Sequence, residues 1–144
     1  MYQVLAIEES GWTNFSTLRN LETGTVIECF DDSVIFSQKP NFGFMKEGGR
    51  YDCKISLFGS VAIPVKPDLR QYVAEYTVTA TGVLFGKRRY TEVRLGRDVY
   101  YISRGSLKEH EEFLSCKPGD KIPFCAPRKD LIQVDGVLHP DLLR

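Results

Sequence analysis

Basic and aromatic residues are concentrated in one segment of the second half of the chain. Six bases and three tyrosines lie between positions 87 and 104: Lys87, Arg88, Arg89, Arg94, Arg97 and Arg104, with Tyr90, Tyr100 and Tyr101. Only Glu92 and Asp98 offset this positive charge. Bases hold phosphates and aromatic faces stack on nucleobases, so this composition is typical of single-stranded nucleic-acid binding. Arg128 and Lys129 form a further basic pair.

A structural role for the same residues is the alternative. Tyrosine is a favoured strand residue that usually contributes to a core, and exposed arginines on strands limit edge pairing. The formal net charge of the chain is zero, whereas nucleic-acid-binding domains are usually basic. The charge is uneven, with six Lys and Arg against nine Asp and Glu over residues 1–68, and thirteen against ten over residues 69–144. Whole-chain charge therefore favours a protein partner.

No motif in the sequence indicates catalysis. The chain contains no G-x-S-x-G, no P-loop and no G-x-G-x-x-G. The two histidines are His110, which lies between two glutamates, and His139, which precedes a proline; a solvated histidine is the better interpretation of each. A Cys/His pair brought together in space stays open, but nothing in the sequence favours it. We therefore predict a non-enzymatic binding module with no catalytic residues.

The four cysteines do not form a metal-binding pattern. Cys29, Cys53, Cys116 and Cys125 contain no C-x-x-C pair, whereas structural zinc sites use closely spaced pairs. We predict buried thiols in a cytoplasmic protein, without metal or cofactor. The N-terminal residues show no signal-peptide pattern, and no apolar run reaches membrane-spanning length, so no membrane association is expected.

Strand patterns run through the first half. Residues 50–58 alternate most clearly, because Tyr51, Cys53, Ile55 and Leu57 alternate with polar residues. The other predicted strands cover residues 2–8, 14–20, 25–30 and 60–65. Residues 31–44 have no clear period, although 33–36 could form a short strand. A polar, proline-broken linker follows at 66–68.

The second half has a similar order with one helix. Strands are predicted at 72–85, 90–95, 99–103, 121–126 and 130–134, and 137–139 folds back after an Asp-Gly turn. Ser106 and Glu109 form a capping box, which predicts a helix over 107–115. Val93 and Leu95 share one strand face, so we expect them to point inward while Tyr90 and Arg94 point outward.

This order of three strands, a short helix and two strands resembles the OB-fold, a five-stranded Greek-key barrel. The first half is similar, with its helix in doubt. The resemblance implies a mainly β protein of two small OB-like barrels in tandem, residues 1–68 and 69–144. A single intertwined β domain is the alternative. Residues 46–51 and 117–122 share a pattern, which consists of a lysine, a turn with glycine and the start of a strand. A true duplication of one half of the chain therefore stays open.

The resemblance also indicates where a ligand would bind. The basic segment would form the first loop and strands two and three of the second barrel, the face that commonly binds oligonucleotides, and residues 128–129 would lie in the loop between strands four and five. The candidate ligand-binding residues are Lys87, Arg88, Arg89, Tyr90, Arg94, Tyr100, Arg128 and Lys129.

The first half offers a different surface. Trp12 and Phe15 lie near Glu8, Glu9 and Glu22, a combination that suits a protein or cationic partner better than a polyanion. OB barrels bind many unrelated ligands, so the fold alone does not select one. We expect protein–protein recognition, with single-stranded nucleic-acid binding as the alternative.

Overall fold

The computed structural model describes residues 1–11, 13–33 and 41–144, and it is mainly β. In the described residues the strands are β1 (Tyr2–Ser10), β2 (Thr13–Asn20), β3 (Val26–Asp31), β4 (Arg50–Tyr51), β5 (Cys53–Val61), β6 (Val73–Phe85), β7 (Arg88–Leu95), β8 (Asp98–Ser103), β9 (Lys121–Val134) and β10 (Val137–Leu138). Short 3₁₀ helices cover Pro67–Tyr72, Arg104–Leu107, Glu111–Phe113 and Pro140–Leu143.

The chain divides into two compact units. Unit 1 contains Met1–Ile55, Phe85–Lys87 and Lys129–Arg144, and unit 2 contains Ser56–Leu84 and Arg88–Arg128. The strands β5 and β9 each contribute at least three residues to both units, and β6 enters unit 1 only at its last residue, Phe85. Each unit is therefore discontinuous in sequence.

Unit 2 holds a closed five-stranded barrel. Its strands are hydrogen-bonded in the order β9-β5-β8-β7-β6, and β6 pairs with β9 to complete the ring. The strands β7 and β8 are antiparallel, whereas β5 and β8 run parallel, with Ser56 opposite Tyr101. The expectation of a β-barrel is confirmed.

Apolar side chains fill the barrel of unit 2. Six side chains from all five strands are almost completely buried: Leu57, Val78, Val93, Ile102, Ile122 and Phe124. Tyr76 and Tyr100 are also buried, and their rings meet edge to face with centroids 6.3 Å apart. Burial of side chains of this size stabilises the fold by about 1.5–3 kcal/mol each, which makes this cluster the main support of the barrel.

Unit 1 is built on a three-stranded meander. The strands β1, β2 and β3 are antiparallel neighbours, and β4 pairs with the other edge of β1. The last part of β9 runs parallel to β3, with Phe30 opposite Asp130, and β10 folds back on β9. Val4, Leu18 and Cys29 are among the fully buried residues of this core.

A buried histidine holds the C-terminal segment of unit 1. The Nδ1 atom of His139 accepts a hydrogen bond from the backbone N–H of Asp141, so Nε2 carries the proton and donates to the carboxylate of Asp32. The imidazole also meets the ring of Phe42 edge to face. His139 is thus a structural residue in a packed site, and the expectation that it is solvated is wrong.

The sequence placed most strands correctly but misplaced several connections. No continuous helix forms over 107–115, where two 3₁₀ turns occur instead: the Ser103 hydroxyl caps the first turn by accepting from the N–H of Ser106. Residues 62–65 are not in a strand, and 67–72 are a 3₁₀ helix. The candidate strand at 33–36 lies almost entirely outside the described residues.

The two last predicted strands are a single strand, β9, of 14 residues. A loop was expected between residues 126 and 130, yet the strand continues through Pro127, since a proline is tolerated in a strand where its missing N–H is not needed for the ladder. Arg128 and Lys129 therefore lie within a strand, not in the predicted loop. Two tandem barrels are not confirmed, and the predicted boundary at residue 68 divides the chain differently from the compact units.

This sharing of strands predicts how fragments behave. A fragment of residues 1–68 lacks the part of β9 that unit 1 uses, and a fragment of residues 69–144 lacks the part of β5 that unit 2 uses. We expect each fragment alone to give a poorly dispersed amide NMR spectrum, and the two co-expressed to regain the spectrum of the intact chain. Well-dispersed spectra from the separate fragments would contradict this expectation.

Candidate binding surfaces

The structure divides the predicted basic residues between the two units. Lys87 and Lys129 belong to unit 1, whereas Arg88, Arg89 and the remaining candidates belong to unit 2. Within unit 2, the side chains of Arg88, Arg89, Arg94, Arg97 and Arg104 are exposed. Arg128 is half-buried. The basic character predicted for this part of the surface is therefore present on unit 2.

The tyrosines of the predicted site are not at the surface. Tyr90 is 6% exposed and Tyr100 is 3% exposed, so neither offers a ring face to a nucleobase. The expected outward position of Tyr90 is wrong because the 3₁₀ helix Arg104–Leu107 contacts β7 and lines a cleft with Tyr90. Val93 points inward as expected, but Leu95 at the end of β7 is 41% exposed.

A carboxylate lies between β6 and β8, where the phosphate-binding face was predicted. Glu92 on β7 accepts a hydrogen bond from the Thr79 hydroxyl at 2.8 Å through Oε1 and from the Tyr101 hydroxyl at 3.0 Å through Oε2. Both carboxylate oxygens are thus hydrogen-bonded within unit 2. This fixed negative charge disfavours a polyanion at this position.

The most exposed phenylalanine of unit 2 lies under an arginine. Phe58 on β5 is 54% exposed, and the guanidinium carbon of Arg128 lies 4.0 Å from the centre of its ring. This distance is that of a cation–π contact. The sequence reasoning placed Phe58 at the end of an alternating strand and did not mark it as functional. The sequence does carry a signal for an exposed Phe58: Leu57 and Phe58 are adjacent apolar residues, so Phe58 takes a position where the alternation of the strand predicts a polar residue.

An apolar cleft of about 200 Å³ follows β5 in unit 2. Ile63 and Val65 are 49% and 45% exposed beside it, and Cys125 and His110 also line it. No hydrogen bond joins these two side chains in the described structure, and Cys125 is buried.

Unit 1 has a larger cleft of about 510 Å³ with an acidic lining. The carboxylates of Glu9, Asp31 and Glu47 line it together with the apolar side chains of Phe42 and Met45. One carboxylate oxygen of Asp31 accepts from the N–H of Ser33 at 2.8 Å, and Glu47 accepts from the N–H of Ile7 at 3.1 Å. Burial raises the pKa of Asp31, an effect that these Ser33 hydrogen bonds partly oppose.

The aromatic surface predicted for the first half is described only in part. Trp12 lies outside the described residues. Phe15 packs edge to face against Phe30, with ring centroids 5.7 Å apart, and it is half-buried. Glu8, Glu9 and Glu22 are exposed as expected. The acidic residues of this half are therefore at the surface, but Phe15 contributes to packing.

Three of the four cysteines are buried and one is half-buried. Burial raises the pKa of Cys53 to about 12 and that of Cys29 well above its ordinary value, so both are protonated at neutral pH. The prediction of buried thiols is confirmed for Cys29, Cys53 and Cys125, whereas Cys116 is half-buried. In the described residues, no group of three or more His, Cys, Asp or Glu side chains could hold a metal ion.

No helix in the described part of the chain has the length and hydropathy needed to cross a membrane. Neither a family model, a curated protein nor a solved structure matches this chain.

The buried carboxylate of Asp31 predicts a pH-dependent stability. Because its pKa is raised above the ordinary value of 3.8, the folded state keeps the proton to higher pH than the unfolded state does. Its contribution to the free energy of unfolding therefore falls as the pH rises from about 4 through the raised pKa. We expect the stability difference between Asp31→Asn and the natural chain to grow in favour of the variant over this range. Urea denaturation at a series of pH values measures it; a difference independent of pH would contradict the interpretation.

Proposed function

We propose that this chain is a non-enzymatic, cytoplasmic binding module that recognises a protein partner through unit 2. The observation that supports this proposal best is the exposed ring of Phe58 beneath the Arg128 guanidinium. Phenylalanine and arginine are enriched in protein interfaces, and arginine is prominent among the residues that contribute most binding energy. The partner would contribute an apolar side chain to the exposed part of the Phe58 ring.

The same pair fits a protein better than a nucleobase. Arg128 already covers one face of the Phe58 ring, so that face is not available for stacking. The half-buried position of Arg128 orders the guanidinium before a partner arrives, which lowers the entropy lost on binding. Ile63 and Val65 add exposed apolar area in the segment after β5. A protein partner would contact the exposed ring, the ordered guanidinium and this apolar segment together.

We also propose that the two units are OB-like barrels with exchanged fifth strands. Three features are common to both units. Each unit has an antiparallel meander of three strands, β1-β2-β3 or β6-β7-β8, and a fourth strand that is antiparallel to the first. In each unit the third strand of the meander lies parallel to a fifth strand, which comes from β9 in unit 1 and from β5 in unit 2.

This exchange explains the long strands β5 and β9. The first part of β9 would serve as the fourth strand of unit 2, and β9 would continue, without a loop, as the fifth strand of unit 1. In the same way β4 would serve as the fourth strand of unit 1, and the chain would continue through Asp52 into β5, the fifth strand of unit 2. Both structural predictions would then apply. The two units would repeat one connectivity, as in a duplication, and they would share strands, as in an intertwined domain. The loop between the fourth and fifth strands, a common ligand-binding element of OB barrels, would be missing from both units.

Single-stranded nucleic-acid binding is the alternative function. The exposed arginines of unit 2, which include Arg88, Arg89 and Arg94, favour it. The buried positions of Tyr90 and Tyr100 remove the stacking platform on which this hypothesis depended. Phosphate contacts alone would give weak binding without base preference.

Photo-crosslinking tests the protein-recognition proposal. A photoreactive phenylalanine analogue at position 58 should give a discrete crosslinked product in cells that produce the chain, and Arg128→Ala should reduce its yield several-fold. The same analogue at Leu84, which is 59% exposed in unit 2, is the matched control and should give none. No product at position 58, or equal products at both positions, would contradict the proposal.

Fluorescence polarisation tests the alternative. We expect a labelled oligothymidylate to bind weakly or not at all at low salt, because Tyr90 and Tyr100, the predicted stacking residues, are buried. Tight binding that falls steeply between 50 and 200 mM salt, and that is lost in the double variant Arg88→Glu/Arg89→Glu, would instead establish nucleic-acid binding.

A further inference from the structure

A second feature of unit 2 is a small cleft between β6, β7 and the 3₁₀ segments that follow β8. Its volume is about 60 Å³, and its lining consists of Thr81, Gly82, Arg89, Tyr90, Thr91, Arg104, Leu107 and Leu114. A water molecule needs about 10–15 Å³ of such space, so the cleft accommodates a group of a few heavy atoms. Two arginines and no carboxylate are among these residues.

Gly82 has no side chain, so the main chain itself forms part of the wall of the cleft. Gly82 lies inside β6 with a φ of +64°, a conformation that L side chains rarely adopt. Only the Arg89 Nη1 atom lies within 4 Å of the position that a Cβ atom would take, at 3.9 Å. A glycine inside a strand often marks a place where another group approaches the backbone closely. The Arg89 guanidinium is therefore next to exposed main chain.

The two arginines approach the cleft from different elements. Arg89 is on β7, and Arg104 is the first residue of the 3₁₀ helix Arg104–Leu107. Both side chains are exposed, and neither forms an ion pair with any residue that the structure describes. Two cations without a carboxylate partner beside an open cleft make it electrostatically favourable for an anion.

The lining suits a phosphate monoester best. Two guanidinium groups match the charge of a phosphate that carries nearly two negative charges, and their planar donors bind phosphate oxygens in pairs. The hydroxyls of Thr81 and Thr91 supply further donors. Leu107 and the buried Tyr90 form the apolar side of the cleft.

We propose that this cleft binds a phosphorylated side chain of the protein partner, an inference that rests on the protein-recognition function proposed above. A peptide fits better than a nucleic-acid strand for two reasons. The cleft accommodates one phosphate group, whereas a strand needs a groove that follows several. In addition, Glu92 places a fixed negative charge on β7, the strand that carries Arg89, and this charge disfavours a polyanion near that strand.

Amide NMR titration of the full chain tests this proposal. Inorganic phosphate and a short phosphoserine peptide, each at constant ionic strength, should cause saturable shifts at the amides of Thr81, Gly82 and Thr91. The phosphoserine peptide should bind more tightly than its unphosphorylated form. The double variant Arg89→Ala/Arg104→Ala should weaken phosphopeptide binding at least about tenfold, because each charge-assisted hydrogen bond is worth that factor or more. Arg94→Ala, an exposed arginine outside the cleft lining, is the matched control and should change the affinity less than about twofold.

The outcomes separate the two proposals. Two results would overturn the phosphate cleft: no saturable shifts with either phosphate probe, or an equal loss of phosphopeptide affinity in Arg94→Ala. The Phe58 surface would then still be tested by the crosslinking experiment. Tighter binding of oligothymidylate than of the phosphopeptide, through the same two arginines, would overturn the peptide as occupant. Saturable phosphopeptide binding without a crosslink at position 58 would retain the cleft and reject the Phe58 surface.

Discussion

The fold depends on the close pairing of two long strands, β5 and β9. At Gly59, a Cβ atom would lie 1.8 Å from the carbonyl oxygen of Cys125, so the two backbones meet at a distance that only glycine permits. Farther along the pair, the N–H of Ala62 donates to Pro123, and at the other end the N–H of Asp135 donates to Asp52. Because both strands supply residues to both compact units, neither unit is complete without the whole chain.

This constraint also limits where ligands can bind. A tandem arrangement would leave a free loop between the last two strands of each barrel, and that loop was expected to carry Arg128 and Lys129. In the structure this position is part of β9, and Arg128 is held against Phe58. A basic loop is thereby replaced by an ordered arginine–aromatic pair, the feature on which the proposal of a protein partner depends.

The sequence predicted strands well because alternation over 50–58 and the turn residues before and after β7 and β8 are local signals. It could not predict which strands pair, since the pairing of β5 with β9 depends on contacts between residues far apart in sequence. The helix at 107–115 failed for a local reason: Ser103, rather than Ser106, provides the cap, and two short 3₁₀ turns follow. The prediction that Tyr90 is exposed is wrong because the alternation of residues gives the face of the strand on which a side chain lies, but not what covers that face. The exposed arginines were found from composition, whereas Phe58 and the Gly82 cleft needed tertiary structure.

The central claim is that both units depend on the same two strands, and urea denaturation followed by NMR tests it most directly. Leu18 reports on unit 1 and Val93 on unit 2, since both are fully buried in their respective cores. If β5 and β9 are structural parts of both units, the amide signals of these two residues should disappear with the same midpoint. Two well-separated midpoints, with one unit keeping its native signals after the other has unfolded, would contradict it.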